Sequence, residues 1–179
     1  MNHPAFTLRP AHADDALCLS VLAMQVFLDT YASTGIRPAL AREALSTYSE
    51  AAFRQALADP GTRLCVAEAN AHLIGFAQLT LDTRQALLRG AAQAELLRLY
   101  VQEPFTRQGV GRRLLAQAET LARAAGAEQL WLTPWVHNRR ALAFYAACGY
   151  QDHGLTQFQF EGESHDNRVL AKALGAAAE

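Results

Sequence analysis

Lysine is almost absent from this chain: of sixteen basic residues in 179, fifteen are Arg and only Lys172 is Lys. Cysteine is scarce too. Cys18, Cys65 and Cys148 are odd in number and form no C-x-x-C, which excludes a disulfide framework and a zinc knuckle. They are expected to be small buried hydrophobes in a reducing compartment. The six His (His3, His12, His72, His137, His153, His165) never fall in H-x-x-x-H spacing, so no helix-borne metal pair and no metal is expected. No window approaches eighteen uninterrupted apolar residues, and the start, MNHPAFTLRP, lacks the basic and apolar regions of a secretory signal. A soluble cytoplasmic protein without a membrane partner is expected. Sixteen basic against seventeen acidic residues give a net charge of -1, which offers no whole-molecule affinity for nucleic acid.

What the chain does have is apolar bulk, 51% of its residues, although 36 of them are Ala. That suffices for one core. With no Gly/Ser/Pro-rich stretch, charge block or repeat, a single domain over 1–179 is expected. Residues 5–9 read as a short strand, and Asp14 and Asp15 open a helix whose face Leu17, Val21, Met24, Leu28 is expected to pack inward. From Pro38 to Ala58 the pattern is helical in two pieces, with Ser49 as an N-cap. Arg63–Ala69 and His72–Leu81 read as a hairpin turning at Asn70 and Ala71, and 83–93 as a loop. ELLRLYV (95–101) is an apolar strand. An amphipathic helix follows, with Leu114, Leu115, Ala118, Leu121 and Ala122 on one face and Gly126 beyond its end. QLWLT (129–133) returns to strand, Asn138 caps a helix through Cys148, and strands occupy about 150–160 and 165–174.

The sequence Arg107-Gln108-Gly109-Val110-Gly111-Arg112 joins a strand to a helix. Glycines there let backbone N–H groups approach an anion at the positive end of the helix dipole, and Arg107, Arg112 and Arg113 add charge. A dinucleotide fingerprint would need Gly where Leu114 stands, and a Walker loop would need Lys followed by Ser or Thr. The alternative is a glycine-rich helix start without a ligand.

From Glu95 to Tyr150 the succession of ELLRLYV, TRQGVG, amphipathic helix, QLWLTPW and HNRRALAFYAACGY resembles the GNAT superfamily of N-acetyltransferases. Thr106 departs from the Arg or Gln that opens the family's loop pattern, while Gly109 and Gly111 fit it. Asn138, Ala141, Tyr145 and Gly149-Tyr150 match its later block in type and order. The resemblance implies an α/β (α+β) domain: a mixed, mostly antiparallel sheet of about seven strands, splayed between strands 4 and 5 and flanked by about four helices. It implies acetyl-CoA as cosubstrate and an amine as acceptor. Leu99, Tyr100 and Val101 would pair with the pantetheine arm, one of their N–H groups polarising the thioester carbonyl. Arg107, Gln108, Gly109, Val110, Gly111 and Arg112 would bind the phosphates. Asn138 would contact the cofactor arm as well as cap its helix. Pro134, lacking an N–H, fits a strand end without a ladder partner or simple strand termination. Tyr145 would protonate the leaving thiolate, a phenol of pKa near about 10 being a competent donor at neutral pH; packing beside Leu142 and Cys148 is the other reading. The ammonium must first lose a proton, and Glu95 is the candidate base, or else an exposed strand-end carboxylate. Ser164-His165-Asp166 has the composition of a triad, but neighbours on a strand point to opposite faces.

LWLTPWVHNRRALAFY and DTYASTGIRPAL most resemble bacterial polyamine N-acetyltransferases of the spermidine/spermine type. That implies an acceptor site lined by carboxylates and aromatics, with Asp29, Glu43, Glu95, Tyr31 and Trp135 as candidates and Asp29 and Tyr31 between the first two helices. The alternatives are a protein N-terminus or lysine as acceptor, or an acyl-CoA-binding module without turnover. Homodimers are common in the superfamily. Between Pro104 and Arg140 six Arg face two Glu, a net of +4, leaving -5 elsewhere. That division suits a polyanionic cofactor and a cationic acceptor.

Overall fold

Short-range signals set most element ends. Ser49 accepts the Ala52 N–H at 3.2 Å and Asn138 accepts the Ala141 N–H at 3.1 Å, so each caps the helix after it, as the sequence predicts. Gly126 (φ +88°) and Gly149 (φ +87°) take the left-handed conformation just past two helices. The computed structural model describes residues 5–90, 92–160 and 163–175. In chain order they form β1 (Thr7–Pro10), α1 (Ala16–Tyr31), α2 (Pro38–Thr47), α3 (Glu50–Ala58), β2 (Thr62–Ala69), β3 (His72–Thr80) and β4 (Gln93–Val101). Then come α4 (Val110–Ala124), β5 (Gln129–Leu132), α5 (Arg139–Ala147), β6 (Gln151–Phe160) and β7 (Glu163–Ala173). The order is the expected one, the two pieces of the Pro38–Ala58 segment making five α-helices among the described residues.

The strands form one mixed sheet in the order β1-β2-β3-β4-β5-β7-β6. β1 pairs antiparallel with β2, and β7 antiparallel with both β5 and β6. β4 and β5 are parallel, and parallel neighbours need a crossover, which α4 supplies. Their register runs from Gln93↔Gln129 to Glu95↔Trp131, while β4 itself continues to Val101. The β2–β3 turn places Asn70 (φ 50°) and Ala71 (φ 61°) in the left-handed region together, the arrangement that matches strand twist in a two-residue hairpin.

The chain divides into two compact units, one made of the chain up to Gln78 with Arg98–Ala118, the other of Leu79–Leu97 with the chain from Glu119 on. In the first, Leu19, Phe53, Val66, Phe76 and Leu114 are fully buried. Gly75 of β3 serves close backbone approach there: a Cβ on it would stand 2.7 Å from the Tyr100 carbonyl oxygen. Asp15, in a single 3-10 turn before α1, accepts both terminal nitrogens of Arg9 at 2.7 and 2.9 Å and the His12 N–H at 2.9 Å. In the second unit Leu88, Trp131, Val169 and Ala171 cluster in the core.

Two expectations are corrected. Leu17 and Val21 do not face inward; they are 57% and 60% exposed, and α1 buries Ala16, Leu19, Ser20, Ala23 and Phe27 instead. This helix is apolar nearly all round, and its small residues let it approach closely enough for the Ser20 hydroxyl to donate to the Tyr48 carbonyl at 2.6 Å. Of the cysteines only Cys65 is buried, and burial pushes its thiol up to about 11. Cys18 is exposed because it lies on that same outer face of α1.

Candidate active site

The glycine loop leaves β4 through a 3-10 turn at Glu103–Phe105 and a turn over residues 106–109. Arg107 (φ 60°) and Gly109 (φ 83°) are left-handed on either side of Gln108, whose side-chain amide donates to the Pro104 carbonyl at 2.7 Å. Such alternation turns successive N–H groups toward one concavity. The first bond of the α4 ladder runs from the Arg113 N–H to the Gly109 carbonyl at 3.0 Å, so the N–H groups of Val110, Gly111 and Arg112 precede it. A Cβ on Gly109 would touch nothing within 4 Å, so its positive φ, not crowding, calls for glycine. The Arg113 guanidinium is occupied at Phe6, 4.4 Å from the ring and 3.3 Å from the carbonyl. Arg107 and Arg112 are exposed, and among the described residues neither has an ion pair. Bare amides and two exposed guanidinium groups are the donors that an anion would need here.

Leu99, Tyr100 and Val101 end β4 just before this loop, each half-buried. The Tyr100 hydroxyl lies 3.0 Å from that of Tyr48, and burial holds its phenol well above the ordinary value, so it stays a hydrogen-bond donor. Its ring joins Tyr48 (6.2 Å) and Phe76 (5.5 Å); Phe27 stands 5.0 Å from Tyr48 and 5.1 Å from Tyr31, and Phe53 stands 5.7 Å from Phe76. Tyr31 and Asp29 belong to the last turn of α1, not to a linker between helices as expected, since the helix runs on until Ala32. Asp29 is exposed and Glu43, on α2, is half-buried. Arg98 enters this aromatic cluster from β4; the sequence signal for it is a lone cation in the strand QAELLRLYV. Gly75, inside the run HLIGFAQLT, was likewise legible as a glycine where a backbone comes close.

In the second unit Glu95 is half-buried and in register with Trp131. Pro134 and Trp135 lie beyond β5, which ends at Leu132; the Pro134 carbonyl accepts the Arg168 N–H at 2.9 Å, and Trp135 forms a bridge with Asn167. Trp135 also meets His137 edge to face at 4.9 Å. Tyr145 is buried in α5, its ring 5.2 Å from Phe144 and 5.6 Å from Tyr150. Lys172 donates to both carboxylate oxygens of Glu119 at 2.9 Å, and the Tyr150 hydroxyl donates to Glu119 at 3.3 Å. The segment 83–90 is tied by buried Gln93, whose side chain accepts the Gln85 N–H at 2.8 Å and donates to the Gly90 carbonyl at 3.2 Å. Among the described residues no group of three His, Cys, Asp or Glu is arranged to hold a metal, and no helix is long and apolar enough to cross a membrane.

The architecture is that of an α/β domain: a seven-stranded mixed sheet whose parallel β4–β5 pair is connected through a glycine-opened helix. The profile of the Acetyltransferase (GNAT) family matches residues 29–150, and the chain belongs to that family. It is 26% identical over 153 residues to an uncharacterized N-acetyltransferase in the pepI 3′ region of Lactobacillus delbrueckii subsp. lactis, covering 86% of this chain and 88% of that one. It is 36% identical over 101 residues to the IAA acetyltransferase of Azospirillum brasilense, covering 56% and 61% respectively. In structure it is similar to the PaiA N-acetyltransferase of Thermoplasma acidophilum, solved in complex with coenzyme A, with TM-score 0.73 at 22% identity over 94% of this chain and 99% of that one.

Proposed function

We propose that the chain, acting as one domain over 1–179, transfers the acetyl group of acetyl-CoA to the primary amine of a small molecule. The observation that carries this reading is the cradle from Arg107 to Arg112, with two left-handed residues, helix N–H groups ahead of the ladder and two guanidinium groups without ion pairs. It suits a pyrophosphate, and family membership supplies the acyl chemistry. Bound there, acetyl-CoA provides an activated thioester. The backbone of Leu99, Tyr100 and Val101 pairs with the amides of its arm, and one of these N–H groups stabilises the negative charge that develops on the carbonyl oxygen. Glu95, directly or through water, takes the proton that the acceptor ammonium must lose. Tyr145 gives its hydroxyl proton to the departing sulfur, and Asn138 keeps the start of its helix in place. Asp29, Tyr31 and Trp135 are the proposed acceptor contacts. The resemblance to polyamine acetyltransferases makes spermidine one member of the panel to be tried.

Calorimetry with acetyl-CoA followed by thiol release over an amine panel tests the reading. Tyr145→Phe is expected to lower turnover by about tenfold or more with little change in cofactor affinity. Gly109→Asp is expected to abolish binding, through a strained φ and repulsion of phosphate. An unchanged rate in the first variant would assign the proton to another group, and tight binding by the second would move the phosphate site elsewhere. Cofactor binding with no release for any amine would leave an acyl-CoA-binding module.

A further inference from the structure

On β4 a guanidinium is held half out of water without a counter-ion. Arg98 stands 5.0 Å from the Tyr48 ring centroid and 6.0 Å from that of Phe53. One of its N–H groups donates to the side-chain oxygen of buried Gln78 at 2.6 Å. Among the described residues no carboxylate pairs with it. Arg9, Arg54, Arg168 and Lys172, by contrast, each have a carboxylate partner. An Arg never sheds its charge, and holding it away from water without an anion is costly. A neutral amide oxygen satisfies one donor of five and neutralises nothing.

The surroundings narrow what would complete it. Arg98 and Tyr100 are two apart on a strand and share a face. Tyr100 and Tyr48 share one hydrogen bond between their hydroxyls, which leaves the second O–H proton to donate elsewhere. Phe53 and Phe76 meet edge to face and are fully buried, while Tyr31 is 39% exposed. The cluster therefore offers a planar cationic fork, a phenolic donor and aromatic walls, and its one charge is positive. A polyamine brings only more positive charge to such a place. A carboxylate fits the fork in bidentate fashion and accepts from the phenol.

We propose that Arg98, with the Tyr48–Tyr100 hydroxyl pair, binds a carboxylate on the acceptor, so that the acceptor is an amino acid with an aromatic or bulky apolar side chain. This deepens the acetyltransferase reading and rests on it. The apolar side chain would lie toward Tyr31, which is 39% exposed, with the buried rings of Phe27 and Tyr48 packed behind it.

Two probes that differ only in the carboxylate test it: N-acetyl-L-phenylalanine and N-acetylphenethylamine, titrated by calorimetry into the full chain. The acid is expected to bind about tenfold or more tightly than the neutral probe. Arg98→Gln is expected to shrink that preference to about threefold or less, and Arg98→Lys, which keeps the charge but not the fork, to fall between. Thermal melts of both variants establish that they fold. The kcat/KM ratio of L-phenylalanine over phenethylamine is expected to move in parallel, mainly through KM. Equal binding of the two probes, a preference that survives Arg98→Gln, or spermidine turned over ahead of both amines would each overturn the proposal. Probe binding needs no turnover. If acetyl-CoA binding and thiol release fail while Arg98-dependent binding of the acid persists, the reaction falls and the carboxylate site stands.

Discussion

Lys172 and Arg98 both carry a positive charge against a tyrosine ring, yet the two units of the molecule complete them differently. In the second unit Lys172 lies 5.7 Å from the Tyr150 ring centroid and gives its ammonium to both oxygens of Glu119. In the first, Arg98 lies 5.0 Å from the Tyr48 centroid and finds only the neutral oxygen of Gln78. The aromatic partner is common to both, so the counter-ion is what separates them. A cation whose carboxylate is built into the chain joins secondary structures, here α4 to β7. A cation without one is left with unspent electrostatic attraction, available to whatever anion enters.

The first unit is not short of acid, and this is where the comparison meets its strongest test. Arg9 is matched by both Asp15 and Glu68, and its guanidinium holds the Asp15 carboxyl below the usual carboxylate range. A depressed carboxyl stabilises the fold above the pKa of the unfolded chain, about 4, and that stability is lost as pH falls through the lower folded value. Asp15→Ala is expected to destabilise by about 3 kcal/mol at pH 7, the lower end for breaking a buried pair, because Arg9 retains some solvent. Urea unfolding at pH 7 and again near pH 3 checks it: the gap between wild type and variant should shrink at the lower pH. A gap independent of pH would mean that the side chain acts by shape alone.

Glu119→Ala comes next. Glu119 is 13% exposed and Lys172 32%, so about 2 kcal/mol is expected, with an ammonium left near a ring and no anion. Adding Lys172→Met to the same chain should recover part of the loss, a coupling that a double-mutant cycle in denaturant measures. Additive losses would show that the ion pair contributes nothing and would weaken the contrast with Arg98.

These features differ in how far the sequence discloses them. Helix caps were legible at Ser49, Asn138, Gly126 and Gly149, because a cap is decided within about four residues of chain. The family fold was legible for the same reason, its motifs being local segments in a fixed order. The inward face of α1 was not. Leu17, Val21, Met24 and Leu28 keep helical spacing, but so do Ala16, Leu19, Ser20, Ala23 and Phe27, and close approach favoured the set with small residues. Long-range partners were least visible. Nothing near residue 98 announces Tyr48 or Gln78, and nothing near residue 119 announces Lys172, since those pairs meet only once the chain is folded. The candidate phosphate loop at Arg107–Arg112 is legible because its motif is contiguous, whereas the partners of Arg98 are distant in the chain.

Arg98→Met should change stability least of the three substitutions, by less than about 1 kcal/mol in either direction. It removes a bond to Gln78 and the attraction of a guanidinium for two rings, which favours the wild type. It also removes an uncompensated charge from a half-buried position and leaves an unbranched apolar side chain among aromatics, which favours the variant. No charged partner is left behind, whereas Glu119→Ala takes the carboxylate from Lys172 and Asp15→Ala leaves Arg9 with Glu68 alone. Thermal and urea unfolding decide the matter. A loss as large as that of Glu119→Ala would make Arg98 a structural tie like Lys172. A small change, beside a lost preference for the acid probe, is the pattern of a residue kept for its ligand at no benefit to the fold.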